Sequence, residues 1–153
     1  MLAFLQSWGL LGLFIGSFLA ATVVPFSSDA LLVGMLMAGV APLPCLVWAT
    51  LGNWLGGLTS FAIGWAGRWE WIERWFRVKR ETLERQRTRI ERWGAWLALL
   101  TWLPIVGDVF AIALGFYRCP PVKSALFMLL GKALRFALWT LLFYYTGWSM
   151  AEV

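Results

Sequence analysis

Residues 25–29 read Pro-Phe-Ser-Ser-Asp and residues 104–108 read Pro-Ile-Val-Gly-Asp. Each stretch places a proline four residues before an aspartate, and each is flanked by apolar sequence on both sides. Proline has no amide hydrogen and disfavours helix in the residue before it, so each stretch predicts a break between two helical arms. The fold follows from this pattern, in which a charged residue lies beside a helix break at two matching places.

The composition predicts that these helices lie in a membrane. The 153 residues are 61% hydrophobic and 14% charged, with a mean hydropathy of +0.72. Soluble domains average about 45–50% apolar and about 25% charged residues. A small soluble domain also has too much surface to hide such an excess of apolar side chains. We therefore expect a single membrane domain over residues 1–153.

Several classes of chemistry are excluded by the residues that the chain lacks. It contains no histidine, which removes His-based acid–base catalysis and most zinc sites. Its two cysteines, Cys45 and Cys119, are too few for an all-cysteine metal site. We therefore expect no enzyme activity, no metal and no cofactor.

Charge is concentrated in the middle of the chain, where 14 of the 21 charged residues lie between Arg68 and Arg92. Apolar residues recur among them at helical spacing, which predicts an amphipathic interfacial helix over residues 68–93. Its excess of Lys and Arg predicts that residues 68–92 are cytoplasmic; a headgroup-binding or partner-binding surface is the alternative. The net charge of +5 thus indicates a membrane surface as partner and not nucleic acid.

Run lengths predict which segments cross the bilayer, since a crossing helix needs about 20 residues. Residues 45–66 and 122–148 are long enough, and residues 2–24 are also long enough to cross once. The other apolar runs are half-length arms: residues 30–40, 94–103 and 106–117.

A proline turn precedes each of the two later long runs. Pro42 and Pro44 precede the first and Pro120-Pro121 the second, and proline is well suited to the first turn of a helix. The turns are therefore predicted to begin the spanning helices. Gly39 and Gly115 precede these turns, and we predict that they are equivalent positions in the two halves of the chain.

The two halves of the chain repeat, with repeat one at residues 1–67 and repeat two at residues 94–150. Gly52-Asn53 in the first long run matches Gly131-Lys132 in the second. Broken helices at matching positions are typical of transporters; chance similarity between apolar segments is the alternative. We predict an all-α integral membrane protein with two inverted repeats, each a re-entrant broken-helix hairpin plus a spanning helix, joined by the cytoplasmic amphipathic helix.

Four ionisable residues lie inside otherwise apolar runs: Asp29, Asp108, Lys132 and Arg135. An isolated charge at the centre of a spanning helix costs about 2.5–3.5 kcal/mol on insertion scales, so these side chains are expected to face the interior and to pair. Lys132 and Arg135 are three residues apart and share one helix face. We predict a buried-charge transport site that binds a phosphate headgroup on its bases while one acid takes up a proton.

Residues at the helix breaks, together with small residues, are predicted to support this site. They end or cap a helix, or they allow close packing: Pro25, Ser27, Ser28, Gly52, Asn53, Gly56, Pro104, Gly107 and Gly131. The alternative role for the four charges is a static salt-bridge lock that holds the hairpins together.

Four blocks of sequence together resemble the DedA-like membrane proteins with the VTT (SNARE-associated) domain, in the YqaA-type branch. The blocks are residues 21–29 (ATVVPFSSD), 52–59 (GNWLGGLT), 102–108 (WLPIVGD) and 131–135 (GKALR). The resemblance implies an inner-membrane fold of two opposed re-entrant hairpins, with a role in lipid or lipid-carrier translocation and in maintaining the proton-motive force. The chain departs from the wider DedA pattern by having Asp29 where Glu is usual, and Trp102 before Pro104 where that pattern has an Arg nearby.

We therefore expect a small multi-pass inner-membrane protein that translocates a lipid, a lipid carrier or a small solute, with proton coupling through its buried acids. The expected partners are membrane lipids, including a phosphate-bearing headgroup, and protons; a homo-oligomer is left open. The rival interpretation is a non-transporting membrane scaffold or assembly factor. If the repeats are inverted, Cys45 and Cys119 lie about 30 Å apart, so no intramolecular disulfide is expected.

Overall fold

The computed structural model describes residues 2–21, 28–67, 92–103 and 106–146, together with residues 70, 81, 85, 88 and 90. Its elements are all helical: α1 (Leu2–Ala20), α2 (Ser28–Met37), α3 (Pro42–Ala66), a 3₁₀ helix (Gly94–Trp102), α4 (Val106–Phe116) and α5 (Pro121–Tyr145). The predicted all-α class is therefore confirmed for the described part of the chain. The predicted breaks at Pro25 and Pro104, and Ser27, lie outside the described residues.

Proline begins both long helices, as predicted. Pro42 and Pro121 occupy the first helical position, where a missing amide hydrogen leaves no intrahelical bond unmade. At its other end α3 stops at Gly67, whose φ of 66° is left-handed and suits a residue without a Cβ atom.

The two long helices are of bilayer length. Each has 25 residues, which corresponds to roughly 37 Å of helix and exceeds a hydrocarbon core of about 30 Å. In the described part of the chain they are the two helices long and apolar enough to cross a membrane.

The helix boundaries repeat along the chain with a displacement of 79 residues. Shifting α3 by that amount reproduces the bounds of α5, and shifting α2 gives residues 107–116, one residue short of α4. The displacement corrects one predicted equivalence, because it pairs Gly39 with Arg118 and not with Gly115. Both have positive φ, 80° at Gly39 and 54° at Arg118.

The first arm of repeat two differs in kind from the other arms. Residues 94–102 form nine residues of 3₁₀ helix, although runs beyond three or four residues are uncommon. A 3₁₀ helix rises about 2.0 Å per residue, compared with about 1.5 Å in an α-helix. The short arm therefore reaches further into the molecule than an α-helix of the same length.

Glycines bring helix backbones into direct contact with α3. A Cβ atom on Gly52 would overlap the carbonyl oxygen of Phe14 in α1. At the opposite end of α3, a Cβ atom on Gly115 would overlap the carbonyl oxygen of Phe61, and one on Gly64 would overlap that of Ile112. Small residues allow this close approach between membrane helices.

Helices α3 and α5 cross at their midpoints and run in opposite directions. Asn53 and Lys132, the twelfth residues of their helices, are hydrogen-bonded to each other. One turn further along α3, a Cβ atom on Gly57 would lie 2.9 Å from Met128, which is one turn back along α5. Trp54 also donates a hydrogen bond to the carbonyl of Ala125 at 2.9 Å.

Two hydrophobic clusters lie on either side of this crossing. One is built around α2, the first half of α3 and the later part of α5, and it contains Cys45 and Phe136. The other is built around α4, the 3₁₀ helix and the second half of α3, and it contains Cys119 and Ile112. Both cysteines are buried free thiols.

Within residues 68–91 the charged middle segment is described only at isolated positions, all of which are helical: Glu70, Glu81, Arg85, Thr88 and Ile90. Ile90 is buried in the cluster around α4, so the end of this segment is anchored to repeat two. The other apolar positions of the predicted interfacial helix, Ile72, Phe76 and Leu83, lie outside the described residues.

We expect Gly115→Ala to lower the free energy of unfolding by about 2 kcal/mol or more, because the added methyl group would meet the rigid backbone of α3. Gly34→Ala is the matched control, since a Cβ atom on Gly34 meets nothing within 4 Å and alanine favours helix. Thermal melts in detergent should show a large loss for the first variant and none for the second. Equal melting temperatures would contradict the close α3–α4 contact.

Candidate functional site

The structure brings together the four charged residues predicted from the sequence, in two ion pairs. Arg135 Nε lies 3.1 Å from Asp29 Oδ1, and Lys132 Nζ lies 3.9 Å from Asp108 Oδ1. The four side chains carry two positive and two negative charges, so the cluster is neutral when all are ionised.

Helix starts position the acids, and one helix face positions the bases. Asp29 and Asp108 each lie in the first turn of a short helix, α2 and α4. Carboxylates are stabilised there by the free amide groups and the helix dipole. Lys132 and Arg135 are both buried on α5, one turn apart.

Lys132 is held mainly by a neutral partner. Its side chain is almost completely buried, with 1% of the residue exposed. Nζ donates a hydrogen bond to Asn53 Oδ1 at 2.5 Å, whereas Asp108 is beyond hydrogen-bond distance. Gly57 gives the lysine room, since a Cβ atom there would lie 3.0 Å from Lys132 Cε.

Both the nitrogen and the oxygen of the Asn53 side-chain amide form hydrogen bonds in this site. Its Nδ2 group donates to the Ser17 carbonyl oxygen at 3.1 Å and to Ser28 Oγ at 3.4 Å, while its oxygen accepts from Lys132. The bonds fix the amide orientation, because only the nitrogen can donate and only the oxygen can accept.

Arg135 is bound to the start of α2 by two contacts. In addition to the ion pair with Asp29, Arg135 Nη2 donates a hydrogen bond to Ser28 Oγ at 2.9 Å. Since Ser28 also accepts from Asn53, a continuous network links Lys132 to Asp29 through Asn53, Ser28 and Arg135.

The two carboxylates differ in accessibility. The Asp108 side chain is 27% exposed, and that of Asp29 is 13% exposed. The larger exposed fraction therefore belongs to the acid of the looser ion pair.

The predicted glycines act by bringing backbones together around the charges. A Cβ atom on Gly56 would lie 2.5 Å from the Phe18 carbonyl oxygen, and one on Gly131 would lie 2.7 Å from that of Leu99. Gly107 and Gly52 are in equally close backbone contact with Thr101 and Phe14.

Sequence reasoning missed Ser17, and it did not assign Gly57 to the charged site. Ser17 acts through its backbone carbonyl, which leaves no signature in the sequence. Gly57 lies directly against Lys132, and the Gly56-Gly57 pair was the available signal. Among the described residues, no group of three or more His, Cys, Asp and Glu side chains could hold a metal ion.

An apolar cavity of about 260 Å³ opens between α2 and the last turns of α5. Its walls include Val33 and Trp139, which follow Asp29 and Arg135 by one helical turn, and Thr146 adds a hydroxyl group. A charged cluster and an apolar cavity therefore share the same two helices.

Comparison with known proteins shows relatives that match most of the chain. The inner membrane protein YqaA of Escherichia coli K12 is 35% identical over 134 residues, which cover 86% of this chain and 88% of the relative. This chain belongs to the YqaA family. The Shigella flexneri YqaA protein matches equally well, and an uncharacterized protein of Haemophilus influenzae is 38% identical over 141 residues, covering 87% of this chain and 86% of the relative.

The YqaA-family relationship and the two spanning helices establish a bacterial inner-membrane protein, as predicted. No protein-family model matches the chain. No solved structure matches it either.

We expect Asn53→Leu to lower the free energy of unfolding by about 2 kcal/mol, because the buried Lys132 ammonium group loses its hydrogen-bond acceptor. Thr50→Val is the matched control on the same helix. Thr50 is also buried, and its hydroxyl has no hydrogen-bond partner among the described residues, so its removal should be neutral or stabilising. Thermal melts that show equal losses for both variants would contradict a special role for Asn53.

Proposed function

We propose that this YqaA-family protein has no enzymatic activity and translocates a lipid, a lipid carrier or a small solute across the inner membrane. The observation that carries the proposal is the cluster of four ionisable side chains around the midpoint where the two spanning helices cross. Ionisable groups at membrane depth are costly, and they commonly mark substrate, ion or proton pathways.

A cluster with both signs of charge suits an anionic substrate coupled to protons. Lys132 and Arg135 together present several N–H donors, and guanidinium and ammonium groups are the usual ligands of phosphate oxygens. Protonation of one acid would free a base for that substrate. The neighbouring apolar cavity between α2 and α5 offers a place for part of a hydrocarbon chain.

We further propose that the two repeats are inverted and that each has a re-entrant hairpin. The opposite directions of α3 and α5 support inversion. Ser28 at the start of α2 bonds to Asn53, at the midpoint of α3, and Asp108 at the start of α4 pairs with Lys132, at the midpoint of α5. Short helices that begin at mid-depth are expected of hairpins that turn back before crossing.

Leu43 and Val122 provide a matched test of inversion. They are equivalent under the 79-residue displacement, both lie in the first turn of a spanning helix, and they are 68% and 71% exposed. In a background without Cys45 and Cys119, a membrane-impermeant maleimide should label Leu43→Cys from the periplasm and Val122→Cys from the cytoplasm. Labelling of both from the same side would contradict inverted repeats.

The second candidate function is a membrane scaffold or assembly factor. It is favoured by the two contacts that bind Arg135 to the start of α2, which are the contacts expected of a structural lock. In this case the charges stabilise the fold, and the charged middle segment binds a partner.

Reconstitution distinguishes the two functions. We expect purified protein in liposomes to accelerate the movement of a fluorescent phospholipid between leaflets. Lys132→Gln should reduce the rate at least tenfold because it removes a buried cation from the site. Lys123→Gln is the control, since Lys123 is an exposed cation on the same helix, and it should retain the rate. Wild-type protein no faster than empty liposomes, with anionic and zwitterionic lipids alike, would favour the scaffold.

A further inference from the structure

The two ion pairs are built differently. The Asp29–Arg135 pair is close, at 3.1 Å, and is reinforced by Ser28. The Asp108–Lys132 pair is loose, at 3.9 Å, and the lysine donates its hydrogen bond to Asn53 instead. We infer that the pairs have separate roles. Asp29–Arg135 is a fixed clamp, Asp108 is the acid that gains and loses a proton, and Asn53 is a positioning residue that keeps Lys132 in place while Asp108 is neutral.

The role of the Asp29–Arg135 pair as a clamp follows from the contacts that Arg135 makes. Its guanidinium contacts Ser28 and Asp29, the first two residues of α2, and no other contact to a charged group is as short in the described cluster. Neutralising Asp29 would deprive a buried guanidinium of its nearest counter-charge, and loss of one partner of a buried ion pair is strongly destabilising in proteins. Exchange of a proton at Asp29 would therefore loosen α2 from α5.

Asp108 can change its charge without breaking a hydrogen bond to Lys132. At 3.9 Å the carboxylate and the ammonium interact only through their charges. The hydrogen bond from Lys132 to Asn53 persists when Asp108 is protonated, because a neutral amide accepts in either state.

Among the described residues, the charged groups that face Asp108 belong to the cluster. Lys132 and Arg135 face it from α5, and Asp29 reaches the same two bases from α2. The 3₁₀ helix and α3, which also pack against α4, contain no Asp, Glu, Lys or Arg. The proton on Asp108 therefore responds to the charge balance around the two bases.

This balance predicts a stoichiometry, which rests on the proposed function. With both acids ionised the cluster is neutral, and an oxyanion bound at Lys132 adds one negative charge. Uptake of one proton by the Asp108 carboxylate, forming the neutral acid, restores neutrality. The ligand chemistry is a singly charged oxyanion, either a phosphodiester lipid headgroup or the dihydrogenphosphate form of free phosphate, and one proton accompanies each such anion.

Infrared spectroscopy and melting curves on the purified full-length protein test the separate roles without a transport assay. In the infrared titration, the C=O band of protonated carboxyl groups should change with pH. The part of this change that comes from Asp108 should be absent in Asp108→Asn and retained in Asp29→Asn.

In the melting curves, Asp108→Asn should melt within about 2 °C of the wild type. Asp29→Asn should melt at least about 5 °C lower, and Asp29→Asn with Arg135→Gln should recover most of that loss. Loss of that part of the infrared change in Asp29→Asn alone, or equal melting losses for both acids, would overturn the inference.

The positioning role of Asn53 has its own readout. The double variant Asn53→Leu with Asp108→Asn deprives Lys132 of both partners. Its decrease in melting temperature should therefore exceed the sum of the decreases in the two single variants. Thr50→Val combined with Asp108→Asn should be additive. Additive losses in the first combination would reject the role of Asn53.

Binding and flux experiments separate this inference from the proposed function. Proton uptake should accompany addition of an anionic phospholipid in detergent, or of inorganic phosphate, and should be absent in Asp108→Asn. A response to the lipid alone identifies a headgroup site, and a response to both identifies a general oxyanion site.

Lipid transport gives the second comparison. Suppose that the wild type moves lipid at a rate that depends on pH, and that this dependence is lost in Asp29→Asn but kept in Asp108→Asn. This result would overturn the inference while leaving transport intact. Inactive wild-type protein with the expected infrared and melting results would reject transport alone.

Discussion

A buried ammonium group at the centre of a membrane-length helix is the constraint on which the rest of the structure depends. Lys132 is the twelfth of the 25 residues of α5 and is almost fully enclosed. Hydrocarbon supplies no hydrogen-bond acceptor, so the protein must supply one at that depth. Asn53 does so from the midpoint of α3, and the two long helices must therefore cross there.

The two repeats share a backbone plan but contribute different side chains. Both place an aspartate in the first turn of a short helix that starts at the crossing. On the long helices, however, Asn53 corresponds to Lys132 and Gly56 corresponds to Arg135. In repeat one the glycine lets α1 approach α3; in repeat two the arginine at the same position reaches α2. Both cations therefore come from one repeat, and the site has no internal symmetry of charge.

Local rules of sequence were sufficient to predict the two long helices. Run lengths indicated the two long helices, together with a third candidate span at residues 2–24, and proline turns located the first residues of the two long helices. Insertion cost was sufficient to select the four charges as one group, because no apolar span tolerates them singly. The spacing of proline and aspartate also revealed the repeat.

Other features depend on contacts between residues far apart in the chain, and the sequence did not predict them. The 3₁₀ conformation of residues 94–102 has no local signature. Equal spacing in both halves could not show that Asp29 pairs closely with Arg135 while Asp108 stays at a distance from Lys132. The match of Gly39 with Gly115 was wrong, because the left-handed turn is held by a glycine in one repeat and by Arg118 in the other.

The separation of charge between the halves has a consequence for biogenesis. Arg135 follows Ser28 by 107 residues, and ribosomes add roughly 5–20 residues per second. The acid beside Ser28 is thus made about 5–20 seconds before its counter-ion. During that interval Asp29 lacks the base with which it pairs, so the start of α2 gains this ion pair only when the second half of the chain arrives.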